Sequence, residues 1–370
     1  MKKIIIAPDS FKETMTNVEV SEIIYNSLRN KYPQFSYKIF PVADGGEGSL
    51  NSFSKTGGII KKCLSEDANG NIAEVNYLLY SDSIVIEVAQ NVGFKYKKEI
   101  SNPGNTTTYG IGTTIKEALK SGLKKVYICL GGTITNDGGC GLASSLGVKF
   151  FNEKNEEFIP TGITLKNIKH IDNSYFLKEY KDIEFIGLCD VNNPLYGENG
   201  ASYIFAPQKG ATKEQVIELD EGLKCLEQKV KNSLNVDYAN VPGAGAAGGL
   251  GYCIISMLNG KLQKGINTIL DITNFDKEIT DECIVITGEG KLDNQSLNGK
   301  VISGIMERIK NKKAHLIVIC GKFDGDKEYF HKQGIDQIYI TNEENFEFEI
   351  VKKICKQQLE KTIQKIDLFN

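Results

Sequence analysis

Short apolar runs separated by glycine-rich polar loops recur along the chain, and their spacing predicts alternating strands and helices. Ile4 to Ala7 is continuously apolar, the pattern of a strand buried on both faces of a parallel sheet. The polar loop Pro8-Asp9-Ser10-Phe11-Lys12 follows, and Thr16-x-x-Glu19 then carries the capping-box signature of a helix start. Val20, Ile23, Ile24 and Leu28 give that helix one apolar face. A second strand, Tyr37 to Val42, runs into Ala43-Asp44-Gly45-Gly46-Glu47-Gly48. The same grammar returns near the C-terminus. A strand from Ile284 to Thr287 enters a loop from Gly288 to Asp293, and a helix with Val301, Ile302, Ile305 and Ile309 follows. Leu316 to Cys320 and Ile338 to Ile340 predict two further strands before a terminal helix.

Two strands at one end and three at the other complete a five-stranded doubly wound sheet under the right-handed crossover rule. The stretch between them mixes strand-like segments (76–80, 84–89, 126–130 and 183–188) with glycine-rich loops. A helix is predicted from Thr107 to Ser121, with Ile111, Ile115 and Leu119 on one face and Gly122 closing it. The expected architecture is α/β: a flavodoxin-like doubly wound parallel domain from residues 1–48 and 276–370, with a second α/β domain, 49–275, inserted into it. The active site is expected in the cleft between them. A rival layout assigns 126–130 to the first sheet as an extra strand.

A length of 370 residues supports two domains, being beyond the size at which one core stops growing. The net charge of −3 gives no broad basic surface for nucleic acid. No stretch is long and apolar enough to predict a membrane span, and the apolar run after Met1 is too short for a signal segment. Nine cysteines stand singly with no C-x-x-C pair, which points to reduced thiols and a cytoplasmic location. His170, His315 and His331 lack metal-ligand spacing. Arg29 and Arg308 are the only arginines, so bidentate guanidinium clamps for phosphates or carboxylates are scarce.

Candidate chemistry concentrates where open α/β sheets bind ligands, beyond the carboxyl ends of the strands at the switch of strand order. Flavodoxin-like order brings Asp9 to Lys12 beside Gly288 to Asp293, so carboxylates and lysines meet there. Gly131-Gly132-Thr133-Ile134-Thr135-Asn136-Asp137-Gly138-Gly139 follows a strand and suits anion binding by backbone amides. Pro242 to Gly251 contains a G-x-G-x-x-G match with no clear strand before it. It suits either a phosphate-approaching loop or close helix packing through glycines. Asp190, delivered by the strand 183–188 and flanked by Asn192 and Asn193, suits hydroxyl activation or metal binding. There is no Walker A sequence, protein-kinase set or G-x-S-x-G elbow.

Taken together, APDSFK (7–12), PVADGGEGS (41–49), NP with TTYGIG (102–112), LGGTITNDGGCGLASSLG (130–147), CDVNNPLYGENGA (189–201), FAPQKGA (205–211), PGAGAAGGLGY (242–252) and ITGEGKLDNQSLNGK (286–300) resemble the bacterial type I glycerate kinase family. The segments run in family order over nearly the whole chain. Glu13, Thr133-Ile134, Lys291 and Ser101 depart from the family pattern, and two of these stand where the family often has arginine. The resemblance implies transfer of the γ-phosphoryl group of ATP to D-glycerate with Mg²⁺, usually giving 2-phosphoglycerate. It implies small-molecule partners, no nucleic acid or membrane, and is compatible with a homodimer. Asp190 would orient or deprotonate the hydroxyl, and Lys12 would neutralise charge on the phosphoryl group or the carboxylate. Asp9, Asp44 and Glu289 would hold Mg²⁺. Ser10, Gly45, Gly46, Gly132, Thr133, Thr135, Asn136, Asp137, Asn193, Gln208, Lys209, Gly243, Gly245, Gly288, Lys291 and Asp293 complete the expected binding set, with its division between ATP and glycerate open. Two other readings fit the same loops: a phosphatase or phosphomutase with Asp9 as nucleophile, and a two-domain ligand-binding protein without catalysis.

Overall fold

The computed structural model describes residues 2–11, 14–40, 42, 48–55, 57–98, 102–297, 301–344 and 346–368. The chain divides into two compact units. One comprises Met1–Asp44, Asn51–Thr56 and Lys264–Asn370; the other comprises Gly45–Leu50 and Gly57–Gln263. Residues 264–275, expected in the inserted domain, therefore lie in the first unit. Their apolar side chains explain this: Ile266, Ile269 and Leu270 of the helix Gly265–Ile272 are buried, and Phe275 meets Phe40 edge-on at 5.1 Å.

The first unit holds a five-stranded, fully parallel sheet. Its spatial order is Gln337–Ile340, His315–Asp324, Ile284–Asp293, Lys3–Ile6, Ser36–Ile39. Numbered along the chain this reads 5-4-3-1-2, the flavodoxin-like order, with its switch between the first and third strands. Ile4, Ile5 and Ile6 are fully buried, as their continuous apolar run requires. The helix Asn17–Lys31 starts at the Thr16–Glu19 capping box and buries Val20, Ile24 and Leu28 against the strand isoleucines and Leu359 and Ile363 of the helix Phe348–Gln364. Each fully buried aliphatic side chain contributes on the order of 1.5–3 kcal/mol relative to exposure.

The expected loop Gly288 to Asp293 is strand instead. Ile284–Asp293 runs for ten residues in register with His315–Asp324. Two glycines permit this: a Cβ on Gly288 would overlap the Ile319 carbonyl, and one on Gly321 would overlap that of Gly290.

The second unit is built on a six-stranded sheet: Lys261–Gln263, Glu184–Leu188, Lys125–Cys129, Ser83–Glu87, Ile72–Tyr80, Ile59–Glu66. The first four are parallel neighbours, and the last two form an antiparallel hairpin at the edge. The strand 126–130 thus belongs to this sheet, which removes the rival layout. The helix Tyr109–Leu119 buries Ile111 and Ile115, and Gly122 beyond its end has φ +82°. A small antiparallel sheet joins Lys149–Phe151, Glu157–Phe158 and His170–Asp172. The helix Lys213–Leu234 has no counterpart in the sequence reading above, although Thr212 and Gln215 form its capping box. Among the described residues no helix is long and apolar enough to cross a membrane.

Candidate active site

In the first unit the parallel ladder continues past the end of the strand Lys3–Ile6. Ala7 N–H donates to Ile286 O at 2.8 Å, Asp9 N–H donates to Gly288 O at 2.8 Å, and the Thr287 hydroxyl donates to Ala7 O at 2.8 Å. These bonds set Asp9 beside Gly288 and Glu289 at the switch of strand order. Asp9 folds back locally, its Oδ1 accepting the Ser10 N–H at 2.6 Å. Glu289 is 9% exposed and stands opposite Cys320 in the ladder. Burial, aided by the Glu289 charge, pushes the Cys320 thiol up to about 12. Burial thus keeps this thiol in its neutral form in the metal-free protein. Asp9 and Glu289 are carboxylates, the donor class Mg²⁺ takes, while among the described residues no group of three or more His, Cys, Asp or Glu is placed to hold a metal.

Lys291 belongs to the expected binding set. It is half exposed and committed to two carboxylates, Asp324 at 2.9 Å and Asp293 at 3.3 Å. These partners, Asp324 first, raise its pKa. The expected residues Lys12, Asp44, Gly45 and Gly46 lie outside the described residues.

In the second unit the candidates gather at the carboxyl edge of the parallel strands. The register Leu188↔Cys129 and the bond from Leu130 N–H to Leu188 O (3.0 Å) make the segment from Asp190 and the loop from Gly131 neighbours. Asp190 is half-buried. Asn193 is fixed by its own amide, which donates to Asn199 O at 2.8 Å.

The loop Gly131 to Gly139 is graded in depth. Gly131 and Gly132 are half-buried, whereas Thr133, Thr135, Asn136 and Asp137 are buried. Asp137 is a scaffold: its carboxylate accepts from Thr108 N–H (2.8 Å), the Thr108 hydroxyl (2.8 Å), Gly139 N–H (3.1 Å) and Gly141 N–H (3.2 Å). Burial raises its pKa, and these four donors oppose the shift. The Asn136 amide donates to the Ser202 hydroxyl at 3.1 Å.

The segment Gly243 to Gly249 is built as close packing. Gly245 N–H is committed to Asn193 O at 2.9 Å, and Gly138 N–H donates to Gly248 O at 3.0 Å. A Cβ on Gly245 would overlap the Pro194 carbonyl, and one on Gly248 that of Thr135. Ala247, Gly248 and Gly249 are all left-handed, with φ +53°, +71° and +94°. Gly243 and Gly245 are buried. The glycines let this segment clasp both the Asp190 and the Gly131 loops.

Gln208 and Lys209 end the helix Ala201–Lys209 and point to different environments, Gln208 exposed and Lys209 only 2% exposed. The sequence reading missed Glu87, a buried carboxylate at the end of the strand Ser83–Glu87. It accepts the Leu50 N–H at 3.1 Å and the Gln90 amide at 3.4 Å. Its signal was a single acid in an otherwise apolar run, Ile84-Val85-Ile86-Glu87-Val88.

Comparison with known proteins bears on this geometry. The glycerate kinase family model matches residues 4–369. The chain is 39% identical to a glycerate kinase of Bacillus cereus (strain ATCC 10987 / NRS 248), over 98% of this chain and 97% of that one. It is 37% identical to a glycerate 2-kinase of Escherichia coli (strain K12), over 91% and 90%. A crystal structure from Salmonella typhimurium LT2, assigned as glycerate kinase 2, superposes with a TM-score of 0.83 at 32% identity, covering 98% of this chain and 96% of its own.

Proposed function

This chain belongs to the glycerate kinase family, and from that premise we propose that it phosphorylates the 2-hydroxyl of glycerate. It is an ATP-dependent kinase acting on glycerate. The printed name of the Escherichia coli relative supports the 2-position. The observation that carries the residue assignment is the Leu188↔Cys129 register, which sets Asp190 and the glycine loop at adjacent strand ends.

Phosphoryl transfer asks a protein to position phosphates, neutralise charge and orient the attacking hydroxyl. Asp190 takes the last task. As the hydroxyl oxygen bonds to the γ-phosphorus and the bond to the β,γ-bridging oxygen breaks, the hydroxyl proton passes to the Asp190 carboxylate and ADP leaves. The half-buried amides of Gly131 and Gly132 receive an anionic group. Lys12 neutralises charge on the phosphoryl group or the glycerate carboxylate. Asp9 and Glu289, with Asp44, would hold Mg²⁺, which when bound would offset the charge of the ATP phosphates. The nine free cysteines support a reducing, cytoplasmic setting.

The test is incubation with ATP, Mg²⁺ and D-glycerate, with the product identified by NMR. The expected product is 2-phosphoglycerate. Formation of 3-phosphoglycerate overturns the regiochemistry, and free phosphate without phosphoglycerate overturns the kinase assignment in favour of hydrolysis.

A further inference from the structure

Neither arginine serves the loops described above. Arg29 donates to the Tyr25 hydroxyl at 2.7 Å, and Arg308 is paired with Asp271 at 2.6 Å and Asp276 at 2.8 Å. Lys291 is held by Asp293 and Asp324. Lys209 differs from these. It is 2% exposed, and among the described residues no carboxylate lies within ion-pair distance of it. Its ammonium donates to the Thr135 carbonyl at 2.6 Å and to the Thr133 hydroxyl at 3.4 Å. Both acceptors belong to the loop whose half-buried start, Gly131-Gly132, offers amides at the strand ends. Two buried oxygens of the same loop, Thr135 Oγ1 and Asn136 Oδ1, have no hydrogen-bond partner. Burying this amine as a cation is costly, the Asp137 charge offsets that cost only in part, and an anion in the loop would complete the balance.

We infer that Lys209 is a positioning residue and buried countercharge for the anionic ligand that the Gly131–Asp137 loop receives, acting through Thr133 and Thr135 and not by touching the ligand. This rests on the kinase reading only for the anionic character of that ligand.

The electrostatics agree with the geometry. Burial lowers the Lys209 pKa to about 7, and the nearby Asp137 charge only partly offsets this. Asp137 is the charged group facing it from the loop, and its own carboxylate is occupied by the four donors from Thr108, Gly139 and Gly141. Burial therefore disfavours the ammonium in the free protein. An anion in the loop favours the ammonium and raises the pKa, so binding takes up a proton.

The test is calorimetric titration of the whole protein at pH 8 with two probes, D-glycerate and Mg²⁺-ADP, in buffers of different ionisation heat. With one of the two probes the parent should take up protons, up to one per site, because burial lowers the Lys209 pKa to about 7 and the bound anion raises it. Lys209→Met should bind that probe about tenfold more weakly or worse and take up none, while melting cooperatively. If Lys209→Met does not melt cooperatively, Lys209→Gln, which keeps N–H donors without the charge, takes its place. Binding of neither probe, binding without uptake in the parent, or uptake that persists in the variant overturns the inference. Calorimetry reads binding and not turnover, so a parent that makes no phosphoglycerate would sink the kinase reading while leaving this result to be judged separately.

Discussion

At the scale of single residues, the candidates differ in exposure and backbone strain. Asp190 is half-buried at a strand end, so Asp190→Asn should preserve the fold and remove the charge and the basicity. A general base contributes roughly 10²–10⁴-fold, and kcat should fall by about that factor with the melting temperature nearly unchanged. Steady-state kinetics beside a melting curve check this; a kcat near that of the parent would exclude a catalytic role. Gly248 poses the opposite case. It is buried at φ +71°, and a Cβ there would overlap the Thr135 carbonyl. Gly248→Ala adds a left-handed backbone penalty of about 1–2 kcal/mol to that overlap, so a loss of at least about 2 kcal/mol is expected in denaturant unfolding. An unshifted midpoint would show that the clasp yields. Residue type alone did not distinguish these cases. Thr133, Thr135, Asn136 and Asp137 read as members of one binding set, and the structure buries all four. Asp137 satisfies the protein's own amides, whereas Thr135 Oγ1 and Asn136 Oδ1 are buried without a hydrogen-bond partner, and only tertiary packing reveals the difference.

At the scale of elements, what the sequence made legible was whatever local chemistry decides. The Thr16–Glu19 capping box fixes the start of the helix Asn17–Lys31 because both orphan donors find their partners within four residues: Glu19 N–H donates to Thr16 Oγ1 at 3.2 Å, and Thr16 N–H to Glu19 Oε2 at 2.9 Å. Thr16→Ala should cost about 1 kcal/mol by this mechanism, measurable as a lower urea midpoint at constant slope. No change in midpoint would mean that the Glu19–Lys356 pair (2.6 Å) anchors the helix by itself. The strand Ile284–Asp293 was misjudged for a non-local reason. Gly-Glu-Gly reads as a turn in isolation, but here Gly288 and Gly321 remove the two Cβ atoms that would keep the strands apart, and the ladder continues to Asp293. Glu87 escaped because a lone acid inside an apolar strand carries no spacing signal until the Leu50 N–H is brought to it.

At the scale of the whole molecule, the five-stranded order followed from few facts. Fully apolar strands must be buried on both faces, parallel neighbours need crossover helices, and right-handed crossovers leave few orders. That order predicted which loops meet, and it places Asp9 against Gly288 and Glu289 as read. The boundary of the second unit was less legible, because residues 264–275 join the first unit through buried side chains and not through any composition shift. The same strand-end placement yields a prediction about magnesium. A kinase needs Mg²⁺ for its nucleotide whatever the protein does, so simple removal by EDTA tests little about the chain. The informative quantity is the concentration of Mg²⁺ that half-activates the enzyme. Asp9 and Glu289 are neighbours across the ladder, and their hard carboxylate oxygens are the candidate ligands proposed above. Asp9→Asn and Glu289→Gln should each raise the half-activating Mg²⁺ by about tenfold, since losing one of few ligands costs on the order of 1.4 kcal/mol or more. Saturating Mg²⁺ should restore much of the rate, which distinguishes a lost ligand from a lost general base. Asp190→Asn should show no such rescue. If the activation curves of both variants overlay that of the parent, neither carboxylate holds the ion, and the proximity of Asp9 to Glu289 is a feature of the sheet alone.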